Sequence, residues 1–386
     1  MNDETIQHPT VRVALVIGAG ASLAQAEAVG SDPSRFPPLD ATFFQTIAAM
    51  KVKIAPELTE YAVELLGFNP FLGGVGRPAP GMEEFFKDVF YDFVSDAFDL
   101  RAQEAFRQLI GAYTTVLRRS TNEVAAAGAR GPILQLITKA AAASSHLSLI
   151  TFNHDLILEN VVAEAKALRG RWCLRHGYGK FGEQVRYTLS TDAEGFPEPG
   201  TCRHTQPVLI HKLHGSLNWY FNLDDPDDDR AALRGELEPQ QAIRVTRRRQ
   251  IPQRMRYRGE PLRPVIVPPI YAKQPFLETP MKAVWQEAAD DLVHADRVVF
   301  YGYSLPPADI EAEKLFQRAL ARNPRLKWID LINPNPAGAE RYARVFPSIP
   351  LRRYGSLATF MASGGTRATK RGAGRPVKAA TRSSAR

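Results

Sequence analysis

Residues 11–22, VRVALVIGAGAS, decide the fold class of this 386-residue chain. An apolar, mostly β-branched run that ends in glycines is typical of a buried parallel strand followed by a tight turn and a helix. Three later runs share the apolar pattern: 147–152 (LSLITF), 297–300 (RVVF) and 327–332 (KWIDLI). Helical patterns lie between them. The sequence therefore predicts an α/β sandwich in which helices cover both sides of a mostly parallel sheet.

Two long segments interrupt this predicted frame, which extends over residues 11–363. Residues 36–130 place apolar side chains at spacings of three and four, which predicts an inserted helical module packed into the core. The side chains of that apolar face are Phe85, Phe86, Val89, Phe90, Phe93 and Val94. Residues 170–265 are rich in glycine, proline and charge, and we expect an irregular, charged insertion there.

The 170–265 segment contains an acidic run followed by a basic run. The acidic residues are Asp224, Asp225, Asp227, Asp228 and Asp229, and the basic residues are Arg244, Arg247, Arg248, Arg249, Arg254, Arg256 and Arg258. Charge runs of this kind usually form solvated loops, which here would be able to pair with each other. A binding surface is the alternative interpretation.

The net charge of +8 first suggests a nucleic-acid partner, since basic surfaces attract phosphate. Residues 364–386 hold seven Lys and Arg residues and no acidic residue, so the remaining 363 residues carry +1 (8 − 7). The composition of this tail predicts disorder, because it has too few bulky apolar side chains to offset its ordering entropy. Nucleic acid therefore remains open as a partner, through the basic tail.

Composition also bounds the class of protein and its compartment. Hydrophobic residues make up 44% of the chain and charged residues 23%, which is typical of soluble globular proteins. The two cysteines, Cys173 and Cys202, are too few for a disulfide framework or a four-cysteine zinc site. The N-terminus has no signal pattern, and no apolar run approaches the roughly 18–20 residues that span a bilayer. We expect a cytoplasmic protein with no membrane contact.

The first candidate site is the glycine loop after the first strand, formed by Gly18, Ala19, Gly20 and Ser22. Glycines there allow a sharp turn and let backbone N–H groups approach a diphosphate at a helix N-terminus. The dinucleotide fingerprint is incomplete, because Leu23 occupies the position of its third glycine. A purely structural turn is the alternative.

The second candidate is TFNHD (151–155), directly after a predicted buried strand. The Asn153 amide and the Asp155 carboxylate would be able to hold ribose hydroxyls or a water there, because open α/β sheets bind ligands at that edge. Capping of the following helix explains the same residues equally well.

The third candidate is LIHKLHGSLNW (209–219). His214 precedes Gly215, so the chain is able to turn tightly and present the imidazole, the side chain best suited to proton transfer near neutral pH. A structural histidine is the alternative. His211 raises the question of a metal, but the segment has no cysteine pair and no obvious third ligand, so no metal is expected.

Two further loops follow predicted strands: GYSLPP (302–307) and NPNP (333–336). Each alone is explained by a turn, since Gly, Asn and Pro are turn residues. Five loops of small and polar residues at the same strand ends are harder to explain as turns alone. Their convergence indicates a ligand site.

Five motifs, in this order, resemble the NAD-binding core of the sirtuins: GAGAS (18–22), TFNHD (151–155), KLHGS (212–216), GYSLPP (302–307) and LINPN (331–335). The resemblance is closest to the bacterial SIR2-like branch and covers about residues 11–360, with inserts. It implies a Rossmann-like sheet and NAD+ as the substrate.

The resemblance also implies roles for particular residues. His214 would be the catalytic base, and Asn153 and Asp155 would lie at the nicotinamide ribose. The remaining contacts would fall on Gly18, Ala19, Gly20 and Ser22 for the diphosphate, Gly302 and Ser304 for the phosphate and ribose, and Asn333 for the adenosine ribose.

Two departures from the deacylating sirtuins shape the expected activity. Those enzymes carry a four-cysteine zinc module and a peptide groove after the catalytic histidine, whereas both cysteines here precede His214. The deacylase motif TQNID is here TFNHD (151–155), the form that resembles SIR2-like NAD hydrolases of bacterial antiphage systems. The resemblance therefore implies a metal-free NAD+ glycohydrolase that releases nicotinamide and ADP-ribose, as an antiphage-defence effector.

Two other functions remain open from the sequence. One is protein deacylation or ADP-ribosyl transfer, and the other is a non-catalytic, NAD-sensing subunit that binds nucleic acid. SIR2-like effectors often form homo-oligomers, and some act with a partner ATPase or respond to a phage trigger. This sequence contains no P-loop motif, so any such ATPase would be a separate chain.

Overall fold

The computed structural model describes residues 11–72, 79–95, 99–188, 195–196, 206–221, 243–257, 260–269 and 281–364. The strands in chain order are β1 (Arg12–Ile17), β2 (His146–Thr151), β3 (Arg186–Thr188), β4 (Val208–Lys212), β5 (Gly215–Phe221), β6 (Ile243–Thr246), β7 (Arg256–Tyr257), β8 (Glu260–Pro261), β9 (Arg263–Ile266), β10 (Arg297–Tyr301), β11 (Ile329–Ile332) and β12 (Leu351–Tyr354).

The helices surround these strands. In chain order they are α1 (Ala19–Ala28), α2 (Phe43–Ala49), α3 (Pro56–Leu66), α4 (Met82–Ser95), α5 (Leu100–Ala127), α6 (Pro132–Ala142), α7 (Ile157–Glu164), α8 (Leu174–Gly177), α9 (Gly179–Gln184), α10 (Lys282–His294), α11 (Ile310–Ala321), α12 (Pro336–Val345) and α13 (Leu357–Ala362). Short 3-10 turns cover Pro33–Arg35, Asp40–Thr42, Pro70–Leu72 and Lys166–Leu168.

Six strands form one all-parallel sheet in the order β12-β11-β10-β1-β2-β4. The chain adds β2 and β4 on one side of β1 and then β10, β11 and β12 on the other, which is the doubly wound, Rossmann-like order. The prediction of an α/β fold with a parallel sheet is confirmed. All four predicted runs form strands of this sheet.

The register of the sheet aligns the ends of its strands. One row of paired residues crosses all six strands and reads Tyr354, Ile332, Tyr301, Ile17, Thr151 and Lys212. Each strand ends at its residue of this row, so the loops that follow leave the sheet at the same edge. Successive strands are added on one side of β1 and later on the other, so the strand order reverses between β1 and β10. In open α/β sheets, ligands bind at such a reversal.

The helical segment shares one continuous core with the sheet. Phe85, Phe86 and Val89 of α4 are fully buried, as the amphipathic pattern predicts, and Phe93 stacks on Phe106 of α5 with ring centroids 5.3 Å apart. Val94 differs from the prediction, because it is 50% exposed near the C-terminal end of α4.

The expectation of irregular structure across 170–265 is wrong for its described residues. They include a second sheet in the order β3-β6-β5-β9, in which β5 runs antiparallel to both β6 and β9. Alternating apolar residues in β5 and β6 bury one side of this sheet: Leu217, Trp219, Ile243 and Val245. The surrounding glycine, proline and charge conceal this pattern in the sequence.

The basic run is also more structured than a solvated loop. Arg244 lies in β6 and is only 6% exposed, and Arg247 donates to the Phe196 carbonyl at 3.4 Å. Arg249 pairs with Glu164 of α7 at 3.3 Å. These three arginines therefore take part in the packing around the second sheet.

Some predictions lie outside the described residues. These are the acidic run 224–229, Arg258, Cys202 and the tail from residue 365 onward. Among the helices that the structure describes, none combines the length and the apolarity that crossing a membrane requires.

Candidate functional site

A cleft of about 800 Å³ opens at the carboxyl edge of the parallel sheet. Its floor comes from the loops after the strands, which supply Ala19, Gly20, Ser22, Asn153, Asp155, His214, Gly302, Ser304 and Asn333. The helical segment supplies a facing wall of Pro37, Pro38, Leu39, Asp40, Met82, Glu83, Tyr113 and Leu117. The cleft thus contains every residue that the sequence assigns to a site except Gly18.

The glycine loop is fixed by close backbone contact with the loop after β10. Gly18 and Gly20 donate their N–H groups to the carbonyls of Tyr301 and Gly302, at 3.0 and 2.9 Å. A Cβ on Gly18 would lie 2.5 Å from the Gly302 oxygen. The first purpose of these glycines is therefore to let two loops touch, and the N–H groups of Gly18 and Gly20 are already engaged.

Three polar side chains join the glycine loop to the loop after β2. Asn153 donates from Nδ2 to Ser22 Oγ at 2.9 Å, and Ser22 donates to Asp155 Oδ2 at 3.0 Å. Asp155 Oδ1 accepts the N–H of Ile157 at 3.0 Å. Asp155 therefore accepts an N–H at the start of α7, and its carboxylate also lines the cleft.

A buried ion pair supports Asp155 from behind. Lys212, the last residue of β4, donates to the Asp155 carbonyl and lies 3.3 Å from Glu159 of α7. Both side chains are fully buried, and Tyr178 donates to Glu159 at 2.9 Å. Burial raises the pKa of Glu159, and the charge of Lys212 opposes that rise. The sequence gives no sign of this role for Lys212.

His214 lies in the turn that joins the two sheets, between the end of β4 and the start of β5. Gly215 has φ +84°, and a Cβ there would lie 2.1 Å from the Val265 oxygen, so the predicted tight turn requires glycine. The imidazole packs edge-on against Phe152, at 4.9 Å between ring centroids, and is nearly parallel to Trp285 at 6.3 Å. Aromatic rings thus hold the ring plane.

A carboxylate that the sequence reading missed faces this histidine. Asp309 Oδ1 lies 3.3 Å from His214 Nε2, and Asp309 Oδ2 accepts the hydroxyl of Tyr303 at 2.8 Å. Burial, followed by the charge of Asp309, raises the pKa of Tyr303 well above its usual value. The GYSLPP motif ends at Pro307, just before Asp309, so a longer reading of the same loop would have included this residue.

His154, the histidine of TFNHD, connects the helical segment to the cleft. Its Nε2 lies 3.1 Å from the Val267 carbonyl, and its Nδ1 lies 3.0 Å from the Tyr113 hydroxyl of α5. A carbonyl only accepts, so Nε2 carries a proton, and in the neutral ring Nδ1 accepts from Tyr113. His154 is therefore a packing residue of the wall.

The far end of the cleft lies beside β10, β11 and β12. Asn333 follows β11, and its Oδ1 accepts the N–H of Asn335 at 2.9 Å. Ser304 is exposed in the loop after β10. Gly355 and Ser356, which follow β12, line the same end and were not predicted, because the polar edge strand LRRY before them does not resemble a buried strand.

His211 lies away from the cleft and has a structural partner. It is fully buried, and its Nε2 is 2.8 Å from Asp291 of α10. Asp291 also contacts His146 and Arg12, at 3.0 and 2.9 Å. Over the part of the chain that the structure describes, no group of three or more His, Cys, Asp or Glu side chains is arranged to hold a metal ion.

No protein-family model matches this chain, and no curated protein matches it either. The residues of the cleft therefore carry the functional conclusion.

Proposed function

We propose that the chain is an NAD+ glycohydrolase that cleaves NAD+ to nicotinamide and ADP-ribose. One observation carries the proposal: the glycine loop, Asn153, Asp155 and His214 line one cleft at the reversal point of a doubly wound sheet. Ligands of open α/β sheets bind in that crevice. The order of motifs that resembles the SIR2-like branch supplies the choice of NAD+.

The cleft suits a dinucleotide in its size and in the helix N-terminus that it contains. Its volume of about 800 Å³ lies within the range of small-molecule sites. Gly20 brings bare backbone to its surface, and a Cβ there would lie 3.1 Å from the Gly302 oxygen. Helix α1 starts in this loop, and its N-terminus favours a negatively charged diphosphate.

The charges of the cleft suit the reaction at the nicotinamide ribose. When the bond between nicotinamide and C1′ of the ribose breaks, nicotinamide leaves with the electron pair and positive charge develops on the ribose. Carboxylates fixed in a partly dry site stabilise such charge. Asp155 is held by Ser22 and by the N–H of Ile157, so it needs no reorganisation when the charge appears.

His214 supplies the proton transfer. A water oxygen forms the new bond to C1′, and the imidazole takes the proton that this water loses. Asn153 and Asp155 both contact Ser22, and we assign to the Asn153 amide the role of orienting the water or a ribose hydroxyl. The overall reaction converts NAD+ and water to nicotinamide, ADP-ribose and a proton.

Nicotinamide release by the purified full chain tests the proposal. His214→Ala is expected to lower the rate by about 100-fold or more, since it removes the base, and Asn153→Ala by about 10-fold or more. His294→Ala is the matched control, because His294 is exposed at the end of α10 and should leave the rate unchanged. Equal rates in wild type and both cleft variants would reject the proposal.

A thermal-shift measurement distinguishes an enzyme that binds NAD+ but turns it over slowly from a protein that does not bind NAD+. NAD+ is expected to raise the thermal midpoint of the wild-type protein by mass action even when turnover is slow. If millimolar NAD+ produces no shift of the thermal midpoint and no nicotinamide release, the proposal is contradicted.

The role in antiphage defence is proposed from the resemblance and has its own test. Expression of the wild-type chain during phage infection of a bacterial host should deplete cellular NAD+ and stop growth, whereas the His214→Ala chain should do neither. Equal NAD+ levels in the two infected cultures would count against a defence role.

A further inference from the structure

Asp309 and Tyr303 lie next to His214 and have no part in the reaction as described so far. Asp309 is 3% exposed, and its two oxygens face different partners: His214 Nε2 at 3.3 Å and the Tyr303 hydroxyl at 2.8 Å. A buried carboxylate is costly unless it is paired and hydrogen-bonded. This pairing is directed at the one ring that the proposed reaction uses as a base.

The main chain holds Asp309 firmly in this place. Leu305 adopts φ +53° although it is not glycine, and it is fully buried. The N–H of Asp309 donates to the Pro306 carbonyl at 3.0 Å, and the Asp309 carbonyl accepts from Glu313 in the first turn of α11. Strained residues persist where the surroundings fix them, often at functional sites.

Tyr303 is fixed equally well. Its ring stacks on Phe152 with centroids 4.6 Å apart and an interplanar angle of 12°. Its carbonyl accepts the hydroxyl of Tyr342 at 3.0 Å. Because Phe152 also touches the His214 ring, the tyrosine, the carboxylate and the imidazole form one packed unit.

We propose that Asp309 is the positioning residue of His214: its carboxylate orients the imidazole and stabilises it when the ring takes up a proton, and Tyr303 holds the carboxylate. The inference rests on the proposed NAD+ cleavage and adds a residue to it. A histidine base is commonly oriented by a carboxylate at one ring nitrogen, which fixes the tautomer and leaves the other nitrogen basic. The Asp309 carboxylate lies 3.3 Å from Nε2, within ion-pair distance, so it favours the protonated imidazole.

Other titratable groups also lie near His214 or line the same cleft. His154 lies 6.1 Å away between ring centroids and is held by Tyr113 and Val267. Tyr303 keeps its proton at neutral pH, because its pKa is raised. The remaining carboxylates that line the cleft are Glu27, Asp40, Glu83 and Asp155. Among the described residues, Asp309 is the carboxylate that lies within ion-pair distance of the His214 ring.

The test is an NMR titration of the histidine side chains in the full chain, with His214→Ala used to identify the resonance. In Asp309→Asn the midpoint of His214 should fall by about one to three pH units, because the opposite charge is gone. Tyr303→Phe keeps the carboxylate and removes the hydroxyl that partly neutralises its negative charge, so the His214 midpoint should rise. Glu313→Gln, which removes a carboxylate paired with Arg341 outside the cleft, should leave it unchanged.

Kinetics give the second readout. In Asp309→Asn, kcat for nicotinamide release should fall about 10-fold or more, and the acidic limb of the rate profile should move to lower pH in step with the titration. KM should change little, since Asp309 acts through His214.

The outcomes separate this inference from the proposed function. An unchanged His214 midpoint in Asp309→Asn overturns the inference even if NAD+ is cleaved. A lowered midpoint without any NAD+ cleavage by wild type supports the pair and rejects the function. If Asp309→Asn does not fold, Tyr303→Phe decides: a higher His214 midpoint in that variant supports the inference, and an unchanged or lower midpoint overturns it.

Discussion

Gly302 occupies the most restricted backbone position of the cleft. It has φ +66°, and a Cβ there would lie 2.1 Å from the nitrogen of Ala21, which belongs to the glycine loop. Only a residue without a side chain lets the loops after β1 and β10 touch in this way. The contact fixes the N-terminus of α1, where the diphosphate is proposed to bind.

We therefore predict that Gly302→Ala lowers the free energy of unfolding by about 2–4 kcal/mol, since it combines backbone strain with a clash. Gly111→Ala is the matched control, because Gly111 lies in α5 with nothing within 4 Å of an added Cβ. Alanine is the better helix former, so the free energy of unfolding of this variant should rise by about 0.5–1 kcal/mol. Urea denaturation measures both. Similar effects of the two substitutions would contradict the proposed close contact.

Ser22 connects the amide and the carboxylate of the proposed reaction. It accepts from Asn153 and donates to Asp155, and it is 2% exposed. Ser22→Ala leaves both partners without this hydrogen bond, at a cost of about 1–2 kcal/mol of stability. We expect nicotinamide release to slow about 10-fold, with kcat changing more than KM. A variant with lower thermal stability but normal kcat would show that Ser22 is only structural.

At the scale of elements, one carboxylate joins β1, β2, β4 and α10. Asp291 of α10 accepts from Arg12, His146 and His211, and Ser148 donates to it as well. Burial alone would raise the pKa of Asp291, but the hydrogen bonds from His146 and His211 hold it well below its usual range. The sheet and this helix thus depend on an ionised group.

The pH dependence of stability follows from the lowered pKa of Asp291. The unfolded carboxyl titrates near about 3.9, so the contribution of Asp291 is fully present above that pH and is lost as pH falls towards its folded value. Asp291→Asn should cost about 3 kcal/mol or more at pH 7, and the difference from wild type should shrink below about pH 4. A constant difference in unfolding free energy from pH 7 to pH 3 would contradict this.

The elements differ in how well the sequence reveals them. Strands β1, β2, β10 and β11 were predicted because strands buried on both faces are continuous apolar runs. The edge strand β12 (LRRY) was missed, since an edge strand is half-exposed and its arginines hide the pattern. The second sheet was missed because its strands are short and separated by charged segments, and contacts between distant segments define it.

The site shows the same division. The residues directly after strands were found, because parallel strands end together and the row from Tyr354 to Lys212 sets their loops side by side. Asp309 and Lys212 were not found as site residues. Their importance depends on which side chains face them in three dimensions, and no local spacing encodes that. The wall from α4 and α5 was read correctly as core, but its place over the cleft was not predicted.

At the scale of the whole molecule, the positive charge is concentrated in the C-terminal tail. The chain carries +8, yet seven positive charges belong to residues 364–386. Among the described residues that line the cleft, five are carboxylates and none is Lys or Arg; the carboxylates are Glu27, Asp40, Glu83, Asp155 and Asp309. Among the described residues of the cleft, the N-terminus of α1 is the feature that favours the phosphates of an anionic dinucleotide.

This distribution predicts a preference between two related substrates. NADP+ adds a 2′-phosphate of nearly two negative charges, and the carboxylates that line the described part of the cleft repel it. Glu27 lies at the end of the cleft beside β10, where its charge adds to burial in raising the pKa of Tyr301 to about 12. We expect kcat/KM for NADP+ to be at least about 10-fold lower than for NAD+, equivalent to about 1.4 kcal/mol.

Two manipulations distinguish charge from shape as the cause of this preference. Raising the salt concentration from about 0.05 to 0.5 M should narrow the ratio, because screening weakens repulsion between the cleft and the added phosphate. Glu27→Lys should narrow it further, whereas the control Glu64→Lys, at an exposed position of α3 outside the cleft, should leave it unchanged. The ratio of kcat/KM for NAD+ to that for NADP+ would stay constant through both manipulations if steric exclusion set the preference. A clash with the 2′-phosphate responds neither to salt nor to the sign of the charge at position 27.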